Sequence, residues 1–358
     1  MPTPSQRLLF IPVSGPRGMG EYARCLAIAT ALTGRLPGVG LHFALSREAP
    51  YAAGTPFPTT LLPSSATFHT REVRALIREF APQLVLFDNA GRTAQLRAAR
   101  DAGARIVYVS SRRRQRRKAF RLAWMRLIDE HWIAYPDFIA GAPTRLERLK
   151  LRALGRPAVR YIDTLLPASD AQRAAACRAR FGLQAGNYVL VVPGGGSAHP
   201  GAERAPEIVA AAAAGIARHG TPTLLVGPDA GGAGLERPPL LTSSPRLPPE
   251  ELAELIRGAR LVVCNGGDTL LQALACALPC VAVPIAHDQA HRIACCVRAG
   301  LAVRAELAAP SIESAALGLL ARPPPASTAA ALFGQPRVRN RMEEVLDALT
   351  ALLAGGPA

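Results

Sequence analysis

The sequence is short of aromatic side chains, which make up 5% of its 358 residues, and it contains only two lysines, Lys118 and Lys150. No apolar run reaches the roughly 18 residues that a membrane-spanning helix needs. The apolar segment Leu8–Val13 leads directly into a glycine turn, so the amino terminus shows no signal-peptide pattern. We therefore expect a globular, cytoplasmic protein.

Metal-binding patterns are also missing, although seven cysteines are present. Cys295 and Cys296 are adjacent, and the other cysteines show no metal-binding spacing. His287 and His291 are four residues apart but lie beside Asp288 rather than in a zinc-helix pattern, and no Asp-x-Asp pair occurs. We predict reduced, mostly buried cysteines and neither a metal nor another cofactor.

Acidic residues are scarce in the first half of the chain, and the formal net charge is +16. Up to Leu165 the sequence has 26 basic and 11 acidic residues, a net charge of +15. The remainder has 16 basic and 15 acidic residues, a net charge of +1. This asymmetry indicates that the first half faces something anionic.

Short apolar runs alternate with helical patterns along the chain, which is typical of a parallel sheet covered by helices. Leu84–Phe87 and Leu261–Cys264 are continuous apolar runs of this kind. We predict an α/β protein of two facing Rossmann-like domains with a cleft between them. The predicted domains are residues 1–165 and residues 166–335, followed by a C-terminal helix in residues 336–358 that packs back on the first domain.

The stretch from Arg260 to Ala299 has the most informative order of elements. It contains the strand Leu261–Cys264, a glycine turn at Asn265–Thr269, a helix to Leu278, the strand Val281–Val283 and a polar loop at His287–Gln289. This order places a helix N-terminus and hydrogen-bonding side chains at the carboxyl edge of a parallel sheet, where α/β proteins bind nucleotides and anions.

The Gly-Gly-Asp-Thr turn, the Ala-Leu-Pro helix end and the Val-Pro-x-x-x-Asp-Gln segment resemble the donor half of GT-B glycosyltransferases. The pattern is similar to the N-acetylglucosaminyltransferase of peptidoglycan synthesis and to the UDP-sugar hydrolase of pseudaminic acid synthesis. The resemblance implies that Gly266, Gly267 and Thr269 face a donor diphosphate and that Asp288 and Gln289 face the sugar hydroxyls. The implied donor site consists of Asn265, Gly266, Gly267, Asp268, Thr269, Gln272, His287, Asp288 and Gln289.

Two further features of the second domain bear on donor binding. Gln272 stands where the resembled families carry a glutamate that binds the ribose diol, and an amide can still accept one hydroxyl and donate to another. The glycine-rich loop Pro193–Ser197 precedes a helix, so its backbone N–H groups could bind phosphate. We expect Gly195, Gly196 and Ser197 to contact the donor, with a simple flexible connector as the alternative.

The segment with Gly18, Gly20 and Arg24 resembles the Gly-x-Gly-His-x-x-Arg-Cys-Leu segment of the UDP-sugar hydrolase, which implies that these three residues bind substrate. Glu21 stands where that family has its histidine, which weakens the case for hydrolase activity but leaves a carboxylate at a helix N-terminus. The stretch from Gly18 to Ala23 also satisfies a relaxed Gly-x-Gly-x-x-Gly/Ala dinucleotide fingerprint. The second predicted strand ends in Leu-Ser-Arg without an acidic residue, however, so NAD binding is not favoured.

Asp88 is a second candidate for the catalytic base, because it comes directly after the buried strand Leu84–Phe87 at a sheet edge. It is either a base or a turn residue that caps the next helix. The pattern of residues does not decide between Glu21 and Asp88 as the group that deprotonates an acceptor hydroxyl.

The segment Arg112–Ile128 combines a cationic cluster with Phe120, Trp124 and Ile128 at intervals of four residues. A basic helix with such a stripe is typical of membrane-surface elements, so we expect contact with a membrane or an anionic acceptor. Alternatively, the stripe packs on the domain and the arginines are solvated. Nucleic-acid binding is disfavoured, because no nucleic-acid-binding fold signature accompanies the arginines.

These features together predict a metal-independent GT-B glycosyltransferase of the hexosyl- or N-acetylhexosaminyl-transferase type. It would transfer a sugar from a nucleotide-sugar donor, expected to be UDP-linked, to the hydroxyl of an anionic or lipid-linked acceptor in cell-envelope polysaccharide synthesis. The enzyme would be cytoplasmic and peripheral at the inner membrane face. Two alternatives remain open: a nucleotide-sugar hydrolase or epimerase of the same fold, and a non-catalytic anion-binding protein.

Overall fold

The computed structural model describes residues 6–16, 18–194, 202–227, 238–321 and 337–355. Two compact units make up the chain: Met1–Leu165 together with Arg341–Ala358, and Leu166–Asn340. Each unit contains a parallel sheet with helices, which confirms the predicted α/β fold class. In the described ranges no helix is both long and apolar enough to cross a membrane.

The first unit is built on a seven-stranded sheet in the order β3-β2-β1-β4-β5-β6-β7. Its parallel strands are β1 (Arg7–Pro12), β2 (Gly40–Ser46), β3 (Thr59–Leu62), β4 (Leu84–Asp88), β5 (Arg105–Ser110), β6 (Glu130–Ile133) and β7 (Ala158–Tyr161). Its helices are α1 (Gly20–Arg35), α2 (Thr70–Phe80), α3 (Thr93–Asp101), α4 (Arg113–Ala119), α5 (Leu122–Met125), α6 (Asp137–Ala140), α7 (Arg145–Leu154) and, from the end of the chain, α14 (Met342–Ala354).

Both faces of this sheet are apolar because each is covered by helices. Alternate residues of β1 therefore belong to different layers: Leu8 and Phe10 pack with α1 and α14, whereas Leu9 and Ile11 pack with α2 and α3. The C-terminal helix contributes buried side chains, including Leu349, to the first of these layers.

The second unit is built on a six-stranded parallel sheet in the order β10-β9-β8-β11-β12-β13. Its strands are β8 (Val189–Val192), β9 (Thr223–Val226), β10 (Leu241–Ser244), β11 (Leu261–Asn265), β12 (Cys280–Val283) and β13 (Val303–Arg304). Its helices are α8 (Ala171–Arg180), α9 (Ala205–Arg218), α10 (Pro249–Gly258), α11 (Asp268–Ala275), α12 (His287–Arg298) and α13 (Ala309–Leu320).

In both sheets the strand order reverses once, between β1 and β4 in the first and between β8 and β11 in the second. This is the order of doubly wound nucleotide-binding sheets. The loops after the two central strands diverge at such a switch point and leave a crevice at the carboxyl edge of the sheet. Ligand-binding residues are therefore expected in the loops after β1, β4, β8 and β11.

The predicted amphipathic basic helix is not a single helix. It is split at Phe120 into α4 and α5. Phe120, Trp124 and Ile128 are 3%, 1% and 0% exposed. The alternative in which this stripe packs on the domain is therefore confirmed, and its apolar side chains are not available to a membrane.

The polar segment His287–Gln289 also differs from its predicted form. Instead of a loop, it is the first turn of α12. The side-chain amide of Gln289 accepts hydrogen bonds from the backbone N–H groups of Ile285 (3.0 Å) and Ala286 (3.2 Å). An amide that satisfies N–H groups just before a helix favours its start at this point.

Candidate functional site

The switch point of the first sheet contains a buried ion pair between α1 and β4. Arg24 donates two hydrogen bonds to Asp88, with Nε at 2.7 Å from Oδ2 and Nη2 at 3.1 Å from Oδ1. The Asp88 side chain has no exposed surface, and that of Arg24 is 9% exposed. A bidentate, fully buried carboxylate fixes α1 against the sheet and is poorly placed to accept a proton from a substrate.

Burial at this pair also acts on Cys25, the next residue of α1. Desolvation raises the pKa of the Cys25 thiol well above its ordinary value, and the neighbouring charge of Asp88 raises it further. The thiol is therefore held protonated, and it packs as a small apolar group rather than serving as a nucleophile.

Glu21 lies at the same sheet edge and is more accessible than Asp88. Its side chain is 14% exposed, and Oε1 accepts a hydrogen bond from Nδ2 of Asn89 at 2.9 Å. The guanidinium of Arg112, on the loop after β5, lies 3.7 Å from the same oxygen. The structure thus places a partly exposed, polar-bound carboxylate where the sequence predicts a catalytic group.

Asn89 was not among the predicted site residues. It comes directly after Asp88 and adopts a left-handed backbone conformation with φ of 53°, which asparagine tolerates better than most residues. The sequence carries one signal for this conformation, because an asparagine between a buried strand and a nearby glycine tolerates a left-handed backbone.

The start of α1 completes this edge. Gly18 is exposed and has φ of 74°, a left-handed value that favours glycine, and Gly20 begins the helix behind Met19. The loop after β1 is held to the next strand by the backbone of Val13, whose N–H donates to the Asp88 carbonyl at 2.9 Å. Gly18, Gly20, Glu21, Arg24 and Asp88 thus lie at one switch point.

The basic segment continues from this edge. Arg113, Arg114 and Arg117 of α4 are exposed, while Arg116 is buried and donates to the carbonyls of Ala140 (2.8 Å) and Gly141 (2.7 Å). Three cations of α4 and Arg112 are thus exposed to solvent, and of these Arg112 lies near Glu21.

Lys118 of α4 lies near several arginines, among them Arg92, Arg114 and Arg121. Its ammonium donates to the Gly91 carbonyl at 2.6 Å and lies 4.2 Å from the Trp124 ring centroid. Burial, followed by the charges of Arg92 and other arginines, lowers the pKa of Lys118 to about 8. Burial is the main cause of the lowered pKa of Lys118, and the neighbouring arginine charges add to it.

In the second unit, Asn265 organises the glycine turn at the switch point. Its Oδ1 accepts the Gly267 N–H at 2.9 Å, and its Nδ2 donates to the Pro193 carbonyl at 3.1 Å. The side chain therefore ties the loop after β11 to the loop after β8. A Cβ added at Gly194, where φ is 121°, would lie 2.2 Å from the same Nδ2, so this approach requires glycine.

Gly266 and Gly267 are confined by protein atoms. A Cβ at Gly266 would lie 2.8 Å from both Gln289 Cβ and Ile293 Cγ1, and one at Gly267 would lie 2.7 Å from Asn265 Oδ1. The buried Arg292 donates to the Gly266 carbonyl. Glycine at position 266 therefore allows the turn to pack on α12, and glycine at position 267 leaves room for the Asn265 side chain.

The other predicted donor-site residues lie around this turn. Asp268 and Thr269 are the first residues of α11, Gln272 is half-buried one turn later, and the exposed His287 begins α12. Asp288 is the second residue of α12. Gly195, Gly196 and Ser197 lie outside the described residues. Within the described part of the chain, no group of three or more His, Cys, Asp or Glu residues could hold a metal ion.

No protein-family profile matches the sequence, and no curated protein sequence matches it. Solved structures do match over nearly the whole chain. The glycotransferase of kitacinnamycin is 17% identical, covers 97% of this chain and 99% of its own, and superposes with a TM-score of 0.63. MurG of Acinetobacter baumannii is 15% identical, covers 96% of this chain and 99% of its own, and gives a TM-score of 0.60.

The spinosyn rhamnosyltransferase SpnG is 14% identical, covers 97% of both chains and gives a TM-score of 0.61. Its structure has also been determined with thymidine diphosphate. These likenesses confirm that the fold is the GT-B fold that the glycine turn and its flanking strands predicted.

Proposed function

We propose that this protein is a glycosyltransferase that moves a sugar from a nucleotide-sugar donor to an acceptor hydroxyl. The observation that carries the proposal is the partly exposed Glu21 carboxylate at the switch point of the first sheet, bound by Asn89 at 2.9 Å. The glycine turn at the equivalent point of the second sheet supports it, since α11 begins directly after that turn. Glycosyltransferases of the same fold add fold-level support only.

In the proposed reaction each unit has its own role. Glu21 accepts the proton of the acceptor hydroxyl, and the acceptor oxygen forms a bond to the anomeric carbon as the bond from that carbon to the diphosphate breaks. The leaving diphosphate is stabilised by backbone N–H groups of the glycine turn and by the N-terminus of α11. No metal is needed for these steps.

For the donor we propose a nucleoside diphosphate sugar, with UDP as the expected nucleotide. Two proteins of the same fold have been solved with UDP and with thymidine diphosphate. Gln272 is the proposed contact for the ribose, and Asp288 and Gln289 for the sugar. The Oε1 atom of Gln289 already accepts two backbone N–H groups, so its amide nitrogen is the group that we assign to the sugar.

For the acceptor we propose an anionic, membrane-associated molecule of the cell envelope, approached through the first unit. The exposed arginines of α4 support this, and so does α7, on which Leu146 and Leu149 are 60% and 63% exposed beside Arg145 and Arg148. Exposed leucines among arginines are typical of surfaces that bind anionic lipid. We therefore propose that the enzyme works at the inner membrane face.

A thermal-shift panel of UDP, thymidine diphosphate and their sugars tests the donor. A ligand at 100 times its dissociation constant stabilises the native state by roughly 2.7 kcal/mol, so a specific nucleotide should raise the melting temperature measurably. Release of nucleotide should then require an acceptor. Equal release without acceptor would identify a hydrolase, and a panel without any shift would favour a non-catalytic anion-binding protein.

Sedimentation with vesicles tests the acceptor side. Binding to phosphatidylglycerol vesicles, absent with phosphatidylcholine, should be lost when Arg113, Arg114 and Arg117 are all changed to Gln. The matched control changes three exposed arginines of the second unit, Arg204, Arg218 and Arg246, so that net charge falls equally. If both triple variants lose binding to the same extent, the contact is non-specific.

A further inference from the structure

We propose that Asn89 is the positioning residue for the Glu21 carboxylate, and that it leaves Glu21 Oε2 as the atom that takes the acceptor proton. This inference rests on the proposed function. It adds to that function a residue and an atom that the sequence pattern does not assign.

The backbone of Asn89 is fixed before its side chain is considered. The residue is 7% exposed, comes directly after β4, and donates its N–H to the Val109 carbonyl of β5 at 2.9 Å. Its φ of 53° is left-handed, a conformation that asparagine adopts at a lower cost than branched or bulky residues. The strand end therefore presents this side chain along the carboxyl edge rather than into the core.

The orientation of the amide is set by its neighbours. The backbone N–H of Ser111 donates to Asn89 Oδ1 at 2.9 Å, so the oxygen must lie on that side. The NH₂ group then points to Glu21 Oε1 at 2.9 Å and to the Ser111 hydroxyl. Turning the amide over would set donor against donor at Ser111 and oxygen against oxygen at Glu21. The arrangement thus has a single chemically consistent form.

The consequence concerns the two oxygens of Glu21. Oε1 accepts from Asn89 and lies 3.7 Å from the Arg112 guanidinium. Because Asn89 holds Oε1 by a hydrogen bond, the carboxylate does not rotate freely, and we assign proton acceptance to the other oxygen, Oε2. Holding a base in this way matters because misplacement by about 1 Å can cost roughly 100-fold in rate.

Two substitutions of Asn89 test the role. Asn89→Gly retains the left-handed backbone and removes the amide, and we expect kcat to fall by roughly 10- to 100-fold with the donor KM unchanged. Asn89→Asp retains the shape and the acceptor for Ser111 but sets a carboxylate against Glu21. If Asn89 only fills space, Asp will restore activity. If it acts as the donor that we propose, Asp will not.

A double-mutant cycle decides whether Asn89 acts through Glu21. In the Glu21→Gln background, Asn89→Gly should lower kcat by less than about 2-fold, because the group that it positions no longer takes the proton. A full additional loss in that background, or an unchanged kcat in Asn89→Gly alone, would overturn the inference.

A stability cycle separates this inference from the proposed function. The melting temperature should show non-additivity of roughly 1–4 °C between Asn89→Gly and Glu21→Ala, since the residues are in contact. Non-additive shifts in a protein that transfers no sugar would overturn the function and retain the contact. Additive shifts would overturn the positioning role even if the protein is an active transferase.

Discussion

At the switch point of the first sheet, four charged side chains lie together: Glu21, Arg24, Asp88 and Arg112. At the switch point of the second sheet, the corresponding contacts are made by the Asn265 amide and by the backbone of the glycine turn. The strand order of the two sheets is equivalent at these points. The topology therefore provides a crevice twice, and the side chains decide its chemistry.

In the proposed function, the difference matches the group that each crevice would stabilise. A carboxylate that gains and loses a proton needs nearby charges and donors that keep it polar within a partly buried site. A diphosphate brings its own negative charge, and the backbone N–H groups at a helix start can bind it, while the buried Arg292 beside the glycine turn adds a positive charge. We expect substitutions at the first point to change rate or stability, and those at the second to change affinity.

The largest expected effect is on turnover in Glu21→Gln. Loss of a general base typically costs roughly 10²–10⁴-fold in rate, and glutamine keeps the shape and the acceptor for Asn89. We expect kcat to fall by about this factor while nucleotide affinity, measured by calorimetry, stays constant. A change of less than a few fold would show that Glu21 is not the base.

Asp88→Asn should act on stability instead of rate. It leaves the buried Arg24 guanidinium without its carboxylate, and breaking a buried pair in this way costs roughly 3–5 kcal/mol. In denaturant unfolding, the first unit should unfold at a lower denaturant concentration than in the wild type, while nucleotide binding is retained. If Asp88→Asn stays fully folded but loses turnover, and Glu21→Gln stays active, then Asp88 is the base.

Substitution of Asn265 tests whether the glycine turn binds the nucleotide. Asn265→Ala removes the acceptor of the Gly267 N–H, an effect worth roughly 1–3 kcal/mol, so we expect nucleotide affinity to fall by roughly 10-fold at an unchanged kcat for saturating donor. Gly267→Ala alone is ambiguous because its Cβ would meet Asn265 Oδ1 at 2.7 Å. Combining it with Asn265→Ala removes that clash, and any further loss of affinity then reports a ligand over the turn.

Arg112→Gln should have the smallest effect. The side chain is 67% exposed and 3.7 Å from Glu21, and exposed ion pairs typically contribute less than about 1 kcal/mol. We expect turnover to change by no more than about 5-fold and to depend less on salt than in the wild type. A loss as large as that of Glu21→Gln would instead give Arg112 a direct contact with substrate.

The sequence indicates the two switch points well, because both depend on strong local signals. Asp88 and Asn265 each end a continuous apolar run, and the short length of these runs, with turn residues beside them, favours a buried strand over a helix. Glycines beside them predict tight turns. The residues directly after a central strand of a parallel sheet must lie at its carboxyl edge, so the location of both sets is predictable from the pattern.

The pairing within each set is not predictable from the pattern. Nothing local distinguishes Asp88, which forms a buried pair with Arg24, from Glu21, which lies 3.7 Å from the exposed Arg112 guanidinium. The edge strand β7 escaped prediction because its residues are largely exposed. The strand β6 escaped it because Glu130 and His131 interrupt its apolar pattern. The buried Glu130 pairs with Arg160 at 2.7 Å, 30 residues further along the chain, and accepts a hydrogen bond from the Trp132 indole at 2.6 Å.

The C-terminal helix α14 has a consequence for how the chain is made. Its side chains Val345 and Leu349 belong to the same apolar layer as Phe10 of β1, yet they are synthesised after the whole of the second unit. The second unit has emerged in full before that layer can close. The apolar surface of α1 that α14 covers therefore stays exposed while Leu166–Asn340 is synthesised. A nascent chain stalled short of Met342 should accordingly be the form most prone to chaperone capture and aggregation.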